Sequence, residues 1–199
     1  MPVLVTTESA VATLTLSRPA SRNCWGQDFT DELEAHLRRI EQDAAIRCVV
    51  LTGDPAGDAF SAGADLKDAR THTLDSADDL FAQLPRWRKF TARVLDEFPK
   101  PIIAAVNGYA IGIGCILTYC CDLIVASERA QWRLPQTALG IMPAYGGAVR
   151  LARWVGKGQA MRLAMGFNLS AQEAYRIGLA QWLVPHEQMI SPAQQGAIH

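Results

Sequence analysis

The chain lacks a strong charge of either sign and a long apolar run. Its 199 residues carry 19 basic and 20 acidic side chains, which gives a formal net charge of −1. Without a basic face or an acidic tail, neither a nucleic acid nor a membrane surface is expected as a partner. The longest apolar segment, 109–117, is too short and too rich in glycine to span a bilayer.

Paired cysteines and an N-terminal targeting signal are lacking as well. The five cysteines form no C-x-x-C pair, and four of them stand in apolar runs, where a free thiol behaves as a small hydrophobe. This usage predicts a reducing, intracellular compartment. The first residues, MPVLV, have neither the basic region nor the apolar stretch of a secretion signal. We therefore expect a cytoplasmic protein.

Nucleotide-binding loops are absent from the sequence. Gly112 and Gly114 would need a third glycine at position 117, where leucine stands, and no G-K-[ST] triplet follows a glycine loop anywhere in the chain. Nicotinamide cofactors and nucleoside triphosphates are therefore not expected. No metal site is predicted either.

Strands and helices alternate along the chain, and 49% of its residues are hydrophobic. Alternating polarity predicts an antiparallel hairpin over 3–7 and 11–16, and helical spacing of leucine and isoleucine predicts an amphipathic helix over 29–42 with His36 on its exposed face. A buried strand is expected over 46–52. Strand, turn, helix and strand return over 101–126, so the pattern favours one α/β domain.

The last third of the chain is predicted to be mainly helical. Helices are expected over 147–155 and 159–165. Arg150 and Arg153, one helical turn apart, are expected on a solvated face, and pairing with a neighbour or contact with phosphate are the alternatives. A capping box at 170–173 opens a further helix that ends at Gly178. A final strand is expected over 180–184, and a short polar tail follows over 186–199.

Two turns punctuated by glycine carry the candidate chemistry. Residues 59–67 read AFSAGADLK, and residues 107–114 read NGYAIGIG. Small residues let a ligand approach the main chain, and a turn that leads into a helix leaves backbone N–H groups unpaired. Two such donors that converge on one carbonyl oxygen form an oxyanion hole. For either turn alone, close packing of a helix on a sheet explains the small residues equally well.

Six segments together resemble the crotonase family of enoyl-CoA hydratases and isomerases. They are Arg18-Pro19 with Asn23, FSAGADLK at 60–67, AVNGYA at 105–110, Cys121-Asp122, Leu139-Gly140 with Gly146-Gly147, and 170–178. The resemblance covers nearly everything from 3 to 185. It implies a spiral of ββα units that binds acyl-CoA and assembles as a homotrimer or a dimer of trimers. Coenzyme A would enter as part of the substrate, so no separate cofactor is expected.

The resemblance also implies the residues of the site. The two oxyanion N–H groups would belong to Ala64 and Ile113. Coenzyme A would run past Ser21, Arg22, Ala62, Asp65 and Leu66.

Three acidic positions of the family are vacant in this sequence. The two hydratase glutamates are replaced by Ile116 and Gln136, and the acid of the isomerases is replaced by Ala144. Each lost acid or base contributes roughly 100- to 10,000-fold in rate, so ordinary turnover is not expected. Tyr145, beside the vacant isomerase position, is a candidate proton donor, although a phenol with a pKa of about 10 is a poor base. Simple pocket lining is the alternative role for this side chain.

Three functions stay open at this point. The first is an acyl-CoA enzyme that stabilises an enolate, for example in decarboxylation of a malonyl-type thioester. The second is a hydratase or isomerase with a relocated carboxylate. The third is an acyl-CoA binder without catalysis. Residues 1–185 form the expected crotonase-like core. Family members continue with further helices. Either this α/β chain lacks them, and the tail 186–199 is their remnant, or they lie beyond residue 199.

Overall fold

The structure is a computed structural model that describes residues 2–65, 89–140, 142–143 and 145–189. Three groups of sequence predictions lie outside this part of the chain. They concern Leu66, Ala144 and the polar tail from residue 190 onward.

Ten strands of the described residues form two sheets. In chain order they are β1 (Val3–Glu8), β2 (Val11–Leu16), β3 (Cys48–Gly53), β4 (Ala59–Ser61), β5 (Ile102–Val106), β6 (Tyr109–Ile111), β7 (Leu123–Ser127), β8 (Gln131–Arg133), β9 (Leu169–Ser170) and β10 (Trp182–Val184). The larger sheet has the order β1-β2-β3-β5-β7-β10, and the smaller sheet has the order β4-β6-β8-β9. The larger sheet is parallel except for the β1–β2 pair.

The predicted hairpin is confirmed. Its turn consists of Ser9 and Ala10, both with positive φ, a backbone geometry that suits the right-handed twist of the flanking strands. The register pairs Val3 with Leu16, and both side chains are buried in the core. Beyond this pair, burial does not follow the alternation of polarity. The rest of β1 is exposed, including Val5 on the same face as Val3, whereas β2 is buried on both faces at Val11, Ala12, Thr13 and Leu14.

The described residues contain four α-helices and one π-helical turn. The helices are α1 (Gln27–Gln42), α2 (Ile113–Tyr119), α3 (Gly147–Ala164) and α4 (Ala171–Arg176), and the π-helical turn spans Phe90–Leu95. Short 3₁₀ turns cover Pro19–Ser21, Pro55–Gly57, Pro135–Leu139 and His186–Gln188.

The prediction that His36 lies on the exposed face of α1 is wrong. The side chain is only 6% exposed, because position 36 falls on the same helical stripe as Leu33 and Ile40. Its Nδ1 atom contacts the guanidinium group of Arg39. The position of His36 on the helix, and not the polarity of its side chain, therefore determines its burial.

The two helices predicted over 147–165 are one helical segment with a break. Gly156 has φ 75° and ψ 164°, which no α-helix accommodates, so the predicted interruption is correct in position. The capping box of α4 is half formed: the Ser170 hydroxyl accepts from the Glu173 N–H at 3.3 Å, whereas the Glu173 carboxylate pairs with Arg162 and Arg176. Gly178 follows α4 with φ 80° and ends it, as predicted.

The core fills the space between the sheets and the helices. Its largest fully buried side chains are aromatic, namely Trp25, Phe29, Phe60, Phe90 and Trp132. Trp25 stacks on Phe29 with ring centroids 5.4 Å apart. No helix in the part of the chain that the structure describes is both long and apolar enough to cross a lipid bilayer.

Candidate functional site

The candidate site lies at one edge of the smaller sheet. Strand β6 pairs in parallel with both β4 and β8, so the carboxyl ends of these three strands meet at the same edge. Each strand leads there into a turn: the first turn is 62–65, the second is 112–113 and the third is 134–136. Open parallel sheets bind ligands at this edge because the turns expose backbone groups there.

The first turn directs one backbone N–H away from its neighbours. Ala64 forms an isolated parallel bridge with Trp25, in which Trp25 N donates to Gly63 O at 2.7 Å and Asp65 N donates to Trp25 O at 2.9 Å. In such a bridge the residue between the two hydrogen bonds points its own N–H to the opposite side. The Ala64 N–H accordingly has no acceptor among the described residues.

The second turn exposes another backbone N–H at the start of α2. Gly112 has φ 56° and ψ −114°, and its N–H donates to Arg133 O at 2.9 Å. Ile113 is the first residue of the helix, where an N–H has no acceptor within the helix itself. This donor is therefore available to a ligand.

The first and second turns touch each other through glycine. A Cβ atom on Gly63, which has φ 94°, would lie 2.9 Å from Ile111 O. A Cβ atom on Gly114 would lie 2.4 Å from Ser61 O, so α2 packs directly on the end of β4. Because both contacts exclude a side chain, the glycines bring the turns that carry Ala64 and Ile113 together. This arrangement suits two donors that hold one oxyanion.

The loop before α1 is fixed by a buried asparagine and by one backbone hydrogen bond to the first turn. Asn23 accepts from Arg18 N at 3.0 Å through its Oδ1 atom, and its Nδ2 atom donates to Asp54 O and Ala59 O. Arg22 O accepts from Ala62 N at 3.0 Å. The backbone thus brings the predicted substrate-binding residues together, namely Ser21, Arg22, Ala62 and Asp65.

Two of the vacant acid positions lie beside the second turn and carry no charge. Ile116 is buried, and a Cβ atom on Gly147 would lie 2.7 Å from its Cγ1 atom. The Gln136 amide lies over the second turn, with Nε2 3.6 Å from where a Cβ on Gly112 would be. Gln136 Oε1 is buried and has no hydrogen-bond partner among the described residues. At these two positions the chain therefore carries an apolar side chain and a neutral amide in place of carboxylates.

Tyr145 begins the turn that leads into α3. It has φ 56°, a left-handed conformation, and its half-buried side chain packs against the core. Burial raises the pKa of its phenol, so the group is neutral at physiological pH and does not act as a base. A role as a proton donor stays a prediction.

Arg150 pairs with a neighbour, which is the alternative to the solvated helix face that its sequence pattern favours. Its guanidinium forms an ion pair with Asp96, and its Nη1 donates to Tyr145 O at 2.9 Å. The side chain is 14% exposed, and a Cβ on Gly146 would lie 2.2 Å from Nη1. Since Asp96 is 54 residues away in sequence, no local signal reveals this pair.

Other polar groups of the described residues do not build a second site of this kind. No cluster of three or more His, Cys, Asp or Glu side chains is placed there to hold a metal ion. A surface cavity of about 240 Å³ lies between α1 and the π-helical turn, lined in part by Arg38, Glu41 and Lys89. None of the predicted site residues lines it. The expectation that no separate cofactor is needed stays a prediction.

Sequence comparison decides the family. The profile described as Enoyl-CoA hydratase/isomerase matches residues 6–198. The chain belongs to the enoyl-CoA hydratase/isomerase family, the crotonases. The resemblance stated from the sequence motifs is thereby confirmed.

Individual family members show how far the likeness extends. A probable mitochondrial enoyl-CoA hydratase of Dictyostelium discoideum is 40% identical over 190 residues, which cover 94% of this chain and 65% of that protein. The 1,2-epoxyphenylacetyl-CoA isomerase of Escherichia coli K12 is 37% identical, over 99% of this chain and 75% of that protein. The chain thus spans about two thirds to three quarters of the length of these relatives.

Solved structures confirm the predicted α/β crotonase fold. The enoyl-CoA hydratase of Bacillus anthracis superposes with a TM-score of 0.90 at 33% sequence identity, over 100% of this chain and 76% of that one. A hydratase of Geobacillus kaustophilus superposes with a TM-score of 0.87 at 32% identity, over 99% of this chain and 74% of that one.

Proposed function

We propose that this crotonase binds an acyl-CoA thioester and polarises its carbonyl group between the N–H groups of Ala64 and Ile113. The observation that carries the proposal is the contact of the first and second turns through Gly63 and Gly114. Two backbone donors at one point stabilise the negative charge that an enolate places on the thioester oxygen. The curated relatives include hydratases and an isomerase whose names specify CoA thioesters, which supports this ligand class.

Coenzyme A would lie along the loop before α1, which Arg22 O joins to the first turn. There Arg22 is exposed, and its guanidinium lies over the Tyr109 ring at 5.8 Å. Ser21 and Asp65 border the same path, on either side of the hydrogen bond from Ala62 N to Arg22 O. These residues would contact the linear part of coenzyme A next to the thioester.

Proton transfer is the step for which the usual groups are missing. Hydration of an enoyl thioester needs one group to take a proton from water and another to protonate the α-carbon, and neither isoleucine nor glutamine does so. With Ile116 and Gln136 at these positions, we expect slow hydration of crotonyl-CoA. Binding of the thioester does not depend on these groups.

Calorimetric titration and a hydration assay test the proposal together. Butyryl-CoA is expected to bind the full chain with a one-to-one stoichiometry, and crotonyl-CoA is expected to be hydrated slowly. The double variant Ile116→Glu with Gln136→Glu should raise the hydration rate at least about 100-fold. No detectable binding would refute the proposal. Rapid hydration by the natural chain, with no gain in the variant, would show that a carboxylate elsewhere does the chemistry.

Decarboxylation of a malonyl-type thioester is a second candidate, favoured by the apolar side chain at Ile116 in place of a carboxylate. The bond between the carboxylate and the α-carbon would break, its electron pair would form the enolate, and CO₂ would leave. The α-carbon would then take a proton from water. Desolvation by an apolar wall favours loss of a carboxylate, and no general base is needed to start.

Release of CO₂ from malonyl-CoA and methylmalonyl-CoA decides between this candidate and a binder without catalysis. Turnover that falls on substitution of Ile116 by Glu would support decarboxylation, because the new carboxylate repels the substrate. Binding of both thioesters with no CO₂ release would leave the non-catalytic role.

A further inference from the structure

Arg150 is a largely buried cation that the proposed function does not use. Its side chain is 14% exposed and forms an ion pair with Asp96, to which Nε donates at 3.2 Å. Nη2 also donates to Thr91 O in the π-helical turn at 3.4 Å, and Nη1 donates to Tyr145 O at 2.9 Å. The planar guanidinium holds these acceptors in fixed directions at the same time. A single side chain of α3 therefore joins the π-helical turn to the turn 145–147.

The turn 145–147 has a backbone that needs support from its surroundings. Tyr145 has φ 56° and Gly146 has φ 75°, so two consecutive residues are left-handed. For a tyrosine this conformation is strained and persists only where neighbouring groups hold it. Arg150 Nη1 binds the carbonyl of this tyrosine and lies 2.2 Å from where a Cβ on Gly146 would be. The turn is therefore packed directly on the guanidinium of Arg150.

The same turn reaches the proposed site through Gly147. This glycine is buried, and a Cβ there would lie 2.7 Å from Cγ1 and 3.0 Å from Cδ1 of Ile116. Ile116 follows the proposed oxyanion donor Ile113 by three residues on α2, so the two lie on one face of that helix. A displacement of the turn would open a gap at Ile116, next to the place where the acyl group would be held.

We propose that Arg150 is a positioning residue: it holds the turn 145–147 against the acyl side of the site through the Tyr145 carbonyl, and Asp96 fixes its own orientation. This inference rests on the proposed function, because the acyl group must lie beside Ile113 for the turn to affect it. Arg150 itself contacts neither the thioester nor a reacting atom. Coenzyme A would lie along the loop before α1, so its binding should not depend on Arg150.

The test compares butyryl-CoA with free coenzyme A by calorimetric titration, because the two ligands differ only by the acyl group. The natural chain is expected to bind butyryl-CoA more tightly, since the acyl chain is buried. In Arg150→Met the ratio of the two dissociation constants should fall about tenfold, while the affinity for free coenzyme A stays within about twofold. Asp96→Asn should lower the ratio in the same direction. Arg153→Met, at an exposed position of α3, is the matched control and should keep the natural ratio.

The phenol of Tyr145 gives a second readout, which a general loss of stability does not move. Burial raises the pKa of this phenol in the natural chain. In Arg150→Met the released side chain should be better hydrated, so its pKa should fall toward the ordinary value of about 10. Carbon NMR of protein labelled at tyrosine Cζ measures this pKa, and Tyr145→Phe assigns the signal.

The outcomes separate this inference from the function on which it rests. An unchanged ratio or an unchanged Tyr145 pKa in folded Arg150→Met would overturn the role of Arg150 while acyl-CoA binding stands. If that variant does not fold, the natural ratio in Asp96→Asn would overturn it in the same way. Failure of the natural chain to bind butyryl-CoA would refute the proposed function and the inference with it. Melting temperatures verify that each variant is folded.

Discussion

Single residues at the site divide into backbone donors and uncharged side chains. Ala64 and Ile113 would act through their N–H groups, so their side chains tolerate change as long as the turns keep their shape. Ile116 and Gln136 would leave hydration without its two proton-transfer groups, because neither side chain carries a carboxylate.

The rate at which the Cys24 thiol is alkylated should report acyl-CoA binding. This thiol is half-buried beside the loop that carries Ser21, and its pKa is raised by burial and by the nearby Asp65 carboxylate. Alkylation should be slow at pH 7, should accelerate as the pH rises toward 9 and above, and should slow again when acyl-CoA covers the loop. Mass spectrometry after timed iodoacetamide treatment measures each rate.

The other cysteines supply the control in the same experiment. Burial raises the pKa of Cys115 to about 12, and its thiol donates to Ala110 O. Cys48, Cys120 and Cys121 are buried as well. An acyl-CoA complex in which the Cys24 rate is unchanged would contradict the proposed path of coenzyme A along this loop. Reaction of Cys115 as fast as Cys24 would contradict the burial of Cys115.

At the scale of elements, the site depends on the contact of α2 with β4. Gly114→Ala would place a Cβ 2.4 Å from Ser61 O, a backbone atom that does not move freely. The helix must shift, so we expect a loss of about 1–3 kcal/mol in the free energy of unfolding and weaker acyl-CoA binding. Urea unfolding and calorimetry measure the two effects.

Gly158→Ala is the matched control on α3. No atom lies within 4 Å of a Cβ at that position, and its φ is not positive, so alanine should stabilise the helix by about 0.5–1 kcal/mol. Acyl-CoA affinity should not change. Equal effects of the two glycine substitutions would argue against a tight α2–β4 contact.

The ion pair between Arg150 and Asp96 joins α3 to the end of the π-helical turn, and its loss should lower stability. Arg150→Met should reduce the free energy of unfolding by about 1–2 kcal/mol, because Asp96 and the Tyr145 carbonyl lose their donor. Arg153→Met, on the exposed side of the same helix, should stay within about 0.5 kcal/mol of the natural chain. A double-mutant cycle with Asp96→Asn should show coupling, and additive losses would contradict the pairing.

Prediction from sequence succeeded where the pattern is long and local. Apart from the three-residue β10, the strands of the larger sheet have five or six residues, and these strands and α1 are long enough to display a pattern. The glycine motifs indicated both turns of the site. Strands β4, β6 and β8 have three residues each, too few for a period, and their pairing joins residues far apart in sequence. The partners of Asn23 and Arg150 were missed for the same reason, since both contacts cross from one element to another.

At the scale of the whole molecule, the expected homotrimer stays a prediction. Several large apolar side chains of the second half of the chain are exposed, among them Val149, Met161, Met165 and Phe167. Such surface favours association of copies. Sedimentation of the purified chain should therefore give a mass three times 21.7 kDa, or six times for a dimer of trimers, and a single-chain mass at every concentration would contradict it.

Polarisation of a thioester carbonyl by two backbone N–H groups is the central claim for this chain. Isotope-edited infrared spectroscopy of crotonyl-CoA labelled at the carbonyl carbon tests it most directly, because hydrogen bonds to the oxygen weaken the C=O bond. We predict that the carbonyl band moves to lower frequency on binding, and that Gly114→Ala reduces this shift. A bound thioester whose carbonyl band stays where it lies in water would contradict the claim.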